Sequence, residues 1–177
     1  MSFVTPMHFA LVEDEFYRSA FPNRESFDYL KQLGLQSMVA LQPDGLDSDL
    51  GAALRQFCEE EGIELLEADV GYNREPFAVM DSSEIEKVLT HVTTQENCNL
   101  PCLVFCTNGK ERTSVVIACY RKIFQHWSFI SLIQEVEDFS YPDFCASGLP
   151  EQSFIENFQM KMKIDKIDEL ELAGTET

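Results

Sequence analysis

Six mostly apolar residues, PCLVFC at 101–106, stand directly before a short polar loop, and a second apolar stretch, TSVVIACYRKIF at 113–124, follows it. The first run has the length of a strand and no polar side to turn to water. The second is twice as long and has the length of a helix. A strand of this kind belongs in the interior of a sheet that is covered on both faces, which is the habit of parallel α/β sheets. The rest of the chain alternates in the same way. Strands are predicted over 15–21, 35–42, 63–70 and 101–106, and helices over 24–34, 48–62, 82–94, 113–124, 127–139 and 151–163. Pro22 and Asn23 end the first strand, Gly34 and Gly62 stop the first two helices, and PDG at 43–45 is a turn. Ser83 with Glu86 fits a capping box for the third helix. Residues 71–81 read as a loop, and Trp127, at a helix junction, is expected in the core. The expected architecture is α/β: a three-layer αβα arrangement with a central, mostly parallel sheet of about four to five strands flanked by helices. In such a sheet ligands bind at the carboxyl ends of the strands, where Cys106 stands.

The 177 residues suit one domain with a full core, taken as 1–163, followed by an acidic tail or helix extension at 164–177. The net charge of −18 speaks against nucleic acid, whose binding rests on phosphate neutralisation by Lys and Arg, and against anionic membrane surfaces. No segment approaches the ~20 apolar residues of a membrane helix. The opening MSFVTPMHFALVEDEF lacks the basic start of a secretory signal. With six cysteines and no such signal, a reducing, cytoplasmic compartment and free thiols are expected. Cys98, Cys102 and Cys106 are evenly spaced, but Cys58, Cys119 and Cys145 supply no second pair of the kind structural zinc needs, so neither a metal nor a cofactor is expected.

The loop CTNGKER at 106–112 has its own chemistry. Backbone N–H groups at a helix start have no intrahelical partners, and with the helix dipole they favour an anion. Thr107, Asn108, Gly109, Lys110, Glu111 and Arg112 would wrap that anion, with Gly109 allowing unusual backbone angles and the planar fork of Arg112 holding two phosphate oxygens. The same field promotes ionisation of a neighbouring thiol, and a thiolate is a nucleophile. Cys106 would then carry the phosphoryl group as a phosphocysteine, and the Thr113 hydroxyl would donate to the sulfur as it leaves.

VFCTNGKERTS resembles the His-Cys-x5-Arg-Ser/Thr signature of cysteine-dependent tyrosine and dual-specificity phosphatases. The longer stretches FYRSAFPNRESFDYLKQLGLQSMVAL, YNREPF, ACYRKIFQHWS and FIENF resemble, in order, segments of the plant and fungal atypical dual-specificity phosphatases. That group includes inositol pyrophosphate phosphatases and fungal oxidant-induced cell-cycle arrest proteins. The resemblance implies a phosphatase fold, with Cys106 as nucleophile, Arg112 as clamp and Thr113 assisting hydrolysis. It also implies Asn73, Arg74 and Lys110 at the substrate, and a phosphorylated small molecule or phosphoprotein as partner. Four positions depart from the family pattern: Phe105 replaces its histidine, Asn108 a basic residue, Glu111 a histidine and Ser114 a glycine. Phe105 cannot hydrogen-bond the loop, which predicts a thiol that ionises less readily and slower chemistry. The alternative expectation is a weakly active or inactive member that serves as a complex subunit beside other members of the family, or as a phosphate-binding scaffold. A leaving alkoxide needs a proton, for which Glu75, Asp81 and Asp69 are candidates, although Asp81 is more simply a charge at a helix N-terminus.

Overall fold

The computed structural model describes residues 3–71, 80–93, 99–140 and 148–160. Five strands form one sheet: β1 (Ala10–Glu13), β2 (Phe16–Ala20), β3 (Ser37–Ala40), β4 (Glu64–Glu67) and β5 (Cys102–Cys106). Their order is β1-β2-β5-β3-β4, with β1 antiparallel to β2 and the other pairings parallel. All residues of β3 and β5 are buried, as their apolar sequences require, while β4 and β1 at the two edges carry glutamates.

Side chains alternate across each strand, so the sheet separates two cores. Cys102, Val104 and Cys106 of β5 join the core under α3 (Ser82–Thr93), α4 (Glu111–Phe124), α5 (Phe129–Ser140) and α6 (Gly148–Asn157). Leu103 and Phe105 join the core on the opposite face, under α1 (Phe27–Gln32) and α2 (Asp49–Glu61). The arrangement is the three-layer α/β fold expected. No described helix is long and apolar enough to cross a membrane.

Several local expectations are corrected. β1 was not anticipated. It has one buried residue, Val12, and its hairpin turns at Asp14–Glu15, with Glu15 at φ 53°, where glycine or asparagine would have signalled a turn. The stretch predicted as a simple turn at 43–45 is part of a 3-10 helix, Pro43–Asp47. Ser83 does not cap α3. The carboxylate of Asp81 does, accepting from the Ser83 amide at 2.8 Å and the Ser83 hydroxyl at 2.7 Å. Trp127 is not in the core. It is 37% exposed, and the Arg121 guanidinium covers its ring at 4.2 Å while being ion-paired to Glu135. α6 runs over 148–157 rather than 151–163. The segment assigned as a tail lies outside the described residues.

Candidate active site

β5 ends at Cys106, at the carboxyl end of the parallel strands, and α4 begins at Glu111, two residues earlier than its apolar pattern suggests. Arg112 and Thr113 therefore lie in the first helical turn. Lys110, at the N-cap position, makes no side-chain capping bond. The loop between is held against β2. Gly109 has φ +68°, and a Cβ there would stand 2.5 Å from the Ala20 nitrogen and 2.7 Å from the Ser19 carbonyl carbon. Only glycine permits both that conformation and that approach.

The sulfur of Cys106 is enclosed by its own loop. The buried Thr113 hydroxyl donates to Sγ at 3.0 Å. The Asn108 side-chain oxygen, fixed by the Lys110 amide at 3.0 Å, lies 3.5 Å from Sγ and accepts from the thiol. A thiolate has no proton to give to that oxygen. The expected loop residues are thus brought together, with Thr107 and Asn108 exposed, Gly109 buried, and Lys110, Glu111 and Arg112 half-buried.

Arg112 is positioned by residues distant in sequence. Its Nε donates to the Gly71 carbonyl at 2.9 Å and its Nη1 to Gln42 Oε1 at 2.9 Å. The same Gln42 oxygen accepts from the Thr107 hydroxyl at 2.7 Å. Gln42 was not singled out in the sequence, although it closes the predicted strand 35–42 at the same carboxyl end of the sheet as Cys106. His8 was not singled out either; its Nδ1 is 2.7 Å from the Asn108 carbonyl oxygen, which makes Nδ1 the donor.

Arg18 is the largest omission. It is 1% exposed, and its Nη2 donates to the Gly109 carbonyl at 3.0 Å and to Ser114 Oγ at 2.7 Å. An arginine within a strand as apolar as FYRSA was itself a signal, because a buried guanidinium needs a reason. Phe105, by contrast, turns away from the sulfur. It packs edge-on against Phe21 at 5.3 Å in the core under α1 and α2.

The candidate acids separate. Asp69 is exposed, and its carboxylate accepts from the Gly71 amide at 3.2 Å, shaping the turn whose next carbonyl holds Arg112. Asp81 is committed to the start of α3. The hydrogen bond from the Ser83 hydroxyl, then the one from its amide, holds the carboxyl below its usual range, so it stays ionised at neutral pH. Asn73, Arg74 and Glu75 lie outside the described residues. An open cleft of about 850 Å³ between α3 and α6 is lined by Asp81, Ser83, Phe154 and Phe158 among others, and no residue of the cysteine loop lines it. Among the described residues no group of three or more His, Cys, Asp or Glu side chains is arranged to hold a metal.

Comparison with known proteins agrees with this geometry. The chain is 31% identical over 158 residues to the inositol diphosphatase DSP4 of Arabidopsis thaliana, covering 89% of this chain and 75% of that protein. It is 34% identical to the inositol diphosphatase SIW14 of Saccharomyces cerevisiae, over 88% of this chain and 52% of that longer protein. The crystal structure of the core catalytic domain of the PP-IP phosphatase SIW14 superposes with a TM-score of 0.77 at 30% identity, covering 97% of this chain and 95% of that one. A model of the tyrosine phosphatase family matches residues 3–174. The strand, loop and helix that bring Cys106 together with Thr113 and Arg112 thus lie in a chain that the family model matches over residues 3–174, and the chain belongs to the tyrosine phosphatase family.

Proposed function

We propose that this phosphatase works through Cys106, which attacks the phosphorus of a phosphate monoester or phosphoanhydride. The P–O bond to the leaving group breaks as the S–P bond forms, giving a phosphocysteine. Arg112, held by Gln42 and Gly71, engages two phosphoryl oxygens, and the loop amides other than that of Lys110, which bonds Asn108, take the remaining charge. Water then attacks the phosphorus, and Thr113 donates its hydroxyl proton's hydrogen bond to the departing sulfur. The observation that carries the reading is the 3.0 Å contact between Thr113 Oγ1 and Cys106 Sγ, which puts the donor at the atom that must leave.

The substrate class we infer is an inositol pyrophosphate or an aryl phosphate. The names of the relatives support the first, and the loop charge supplied by Lys110 and Arg112 suits either. A phosphoanhydride makes a better leaving group than an alkoxide and asks less of a proton donor. Among the candidate donors, Asp69 has the better placement within the described residues, because its turn leads into the Arg112 contact; Glu75 is the candidate from 71–81. Asn73 and Arg74 are assigned to the substrate by their place in YNREPF alone. The thiols at Cys58, Cys102, Cys106 and Cys119 suit a reducing compartment such as the cytoplasm.

The test is phosphate release from inositol pyrophosphates and from para-nitrophenyl phosphate, with Cys106→Ser as control. Release that depends on Cys106 is expected. No release from any substrate of either class, or full activity in Cys106→Ser, would overturn the reading.

A further inference from the structure

The buried guanidinium of Arg18 is not accounted for by the chemistry so far. It lies in the middle of β2, paired in register with Val104 of β5, and reaches the underside of the cysteine loop from the protein interior. Both hydrogens of Nη2 are used, one on the Gly109 carbonyl and one on Ser114 Oγ. These two acceptors bracket the segment Glu111–Thr113, which carries Arg112 and the donor to the sulfur. The Arg18 Cζ sits 3.6 Å from the centre of the Phe139 ring, while Nε and Nη1 are buried without a hydrogen-bond partner among the described residues.

A guanidinium so placed normally has a carboxylate against it. Among the described residues the carboxylate that acts on it is Glu135 on α5, and that carboxylate is held by Arg121 of α4 through two bonds, at 2.6 and 2.8 Å. Burial pushes Arg18 down to about 10, which leaves it a cation at any physiological pH. Among the described residues its charged and titratable surroundings are Glu135 on α5, Arg121 on α4 and Cys106 on β5. Cys106 lies two residues beyond Val104, the register partner of Arg18; Thr113 and Asn108 meet its sulfur, and Lys110, Glu111 and Arg112 are the charged residues of its own loop. Among the described residues no carboxylate bonds to Arg18, and a cation screened from water acts strongly on an anion that forms nearby. That anion is the Cys106 thiolate.

We propose that Arg18 is a positioning residue with two effects. It fixes the exit of the loop between Gly109 and Ser114, and it supplies from beneath the positive charge that favours the ionised sulfur. Ser114 orients the guanidinium. The proposal rests on the reading of Cys106 as the nucleophile, but it is tested first without any turnover.

The full chain and the variants Arg18→Met, Arg18→Lys and Ser114→Ala are alkylated with iodoacetamide. The rate at Cys106 is followed by mass spectrometry at pH 6.5 and at pH 10, where nearly any accessible thiol is ionised. Folding is checked by circular dichroism, and kcat and KM are measured with para-nitrophenyl phosphate. Arg18→Met is expected to alkylate about tenfold more slowly at pH 6.5, with the deficit closing at pH 10, since about one pH unit in ionisation is a factor of ten in thiolate. A purely structural role would slow both pH values alike. Arg18→Lys keeps the cation and should keep the ratio of the two rates within about threefold of wild type. Ser114→Ala should lower kcat about threefold and change the ratio by less than about twofold. A folded Arg18→Met with the wild-type ratio overturns the proposal, as does a folded Arg18→Lys whose ratio drops as far as expected of Met. If Arg18→Met does not fold, Arg18→Lys and Ser114→Ala decide, and wild-type kcat in Ser114→Ala then overturns the orienting role. Where no variant and no wild-type protein turns over substrate, the alkylation ratios still decide Arg18, and only the proposed phosphatase reading fails.

Discussion

Cys102 and Cys106 are the two ends of one strand. They point to the same face of the sheet and contribute to the same core. At the amino end, Cys102 is wholly buried, its amide bonded to the Glu15 carbonyl at 2.9 Å, and burial pushes its thiol up to about 12. At the carboxyl end, the strand runs out into a loop, and Cys106 meets a hydroxyl donor, a helix start and a buried cation instead of methyl groups. Parallel sheets place helix starts at the carboxyl ends of their strands, so identical residues four positions apart become a buried filler and the proposed nucleophile. What differs is the end of the strand, not the residue.

The comparison breaks most clearly by substitution. Cys106→Ser is expected to cut phosphate release by about a thousandfold or more, because a serine hydroxyl in that loop has no base to activate it. Cys102→Ala should leave kcat within about twofold, and equal losses in the two variants would show that position on the strand does not separate them. Arg112→Lys retains a charge but loses the fork, and kcat/KM should fall by about a hundredfold. Thr113→Val keeps the shape and removes the bond to Sγ. We expect about a tenfold loss in kcat with KM unchanged, and a loss confined to KM would remove Thr113 from the sulfur-departure step.

The smallest expected effect sharpens the other half of the comparison. The Cys102 thiol is raised from its ordinary 9.0 to about 12 in the folded protein. An unfolded chain therefore ionises this group first as pH rises. The stability linked to it is fully present below about pH 9 and is lost progressively toward pH 12. Thermal unfolding followed by circular dichroism should show Tm declining over that window, and Cys102→Ala should flatten part of the decline. Cys58, raised to about 11, and Cys119, raised by burial as well, account for part of the remainder. An alkaline slope identical in wild type and Cys102→Ala would show that Cys102 is not linked to folding.

What was legible in the sequence was local. The cysteine, glycine, arginine and threonine of the loop lie within eight consecutive residues, and the strand and helix around them are strongly apolar, so their assembly needs no knowledge of the rest of the chain. The supports of the loop arrive from afar: Arg18 is 91 residues from Gly109, and Gln42 is 70 from Arg112. Side chains at that separation meet only because β2 and β3 flank β5, a strand order that periodicity does not encode. The same limit explains β1, which is stabilised by an edge pairing and carries no turn signal of its own, and Trp127, whose exposed ring is covered by a guanidinium rather than by the core. The choice of Asp81 over Ser83 as the cap of α3 turned on two residues of register, which amphipathic spacing leaves open by one or two positions.

The single oxygen of Gln42 accepts from both Thr107 and Arg112, so one side chain just beyond β3 ties the first residue after the cysteine to the first turn of α4. The two ends of the loop share one anchor, and a change at Gln42 is felt at both ends at once.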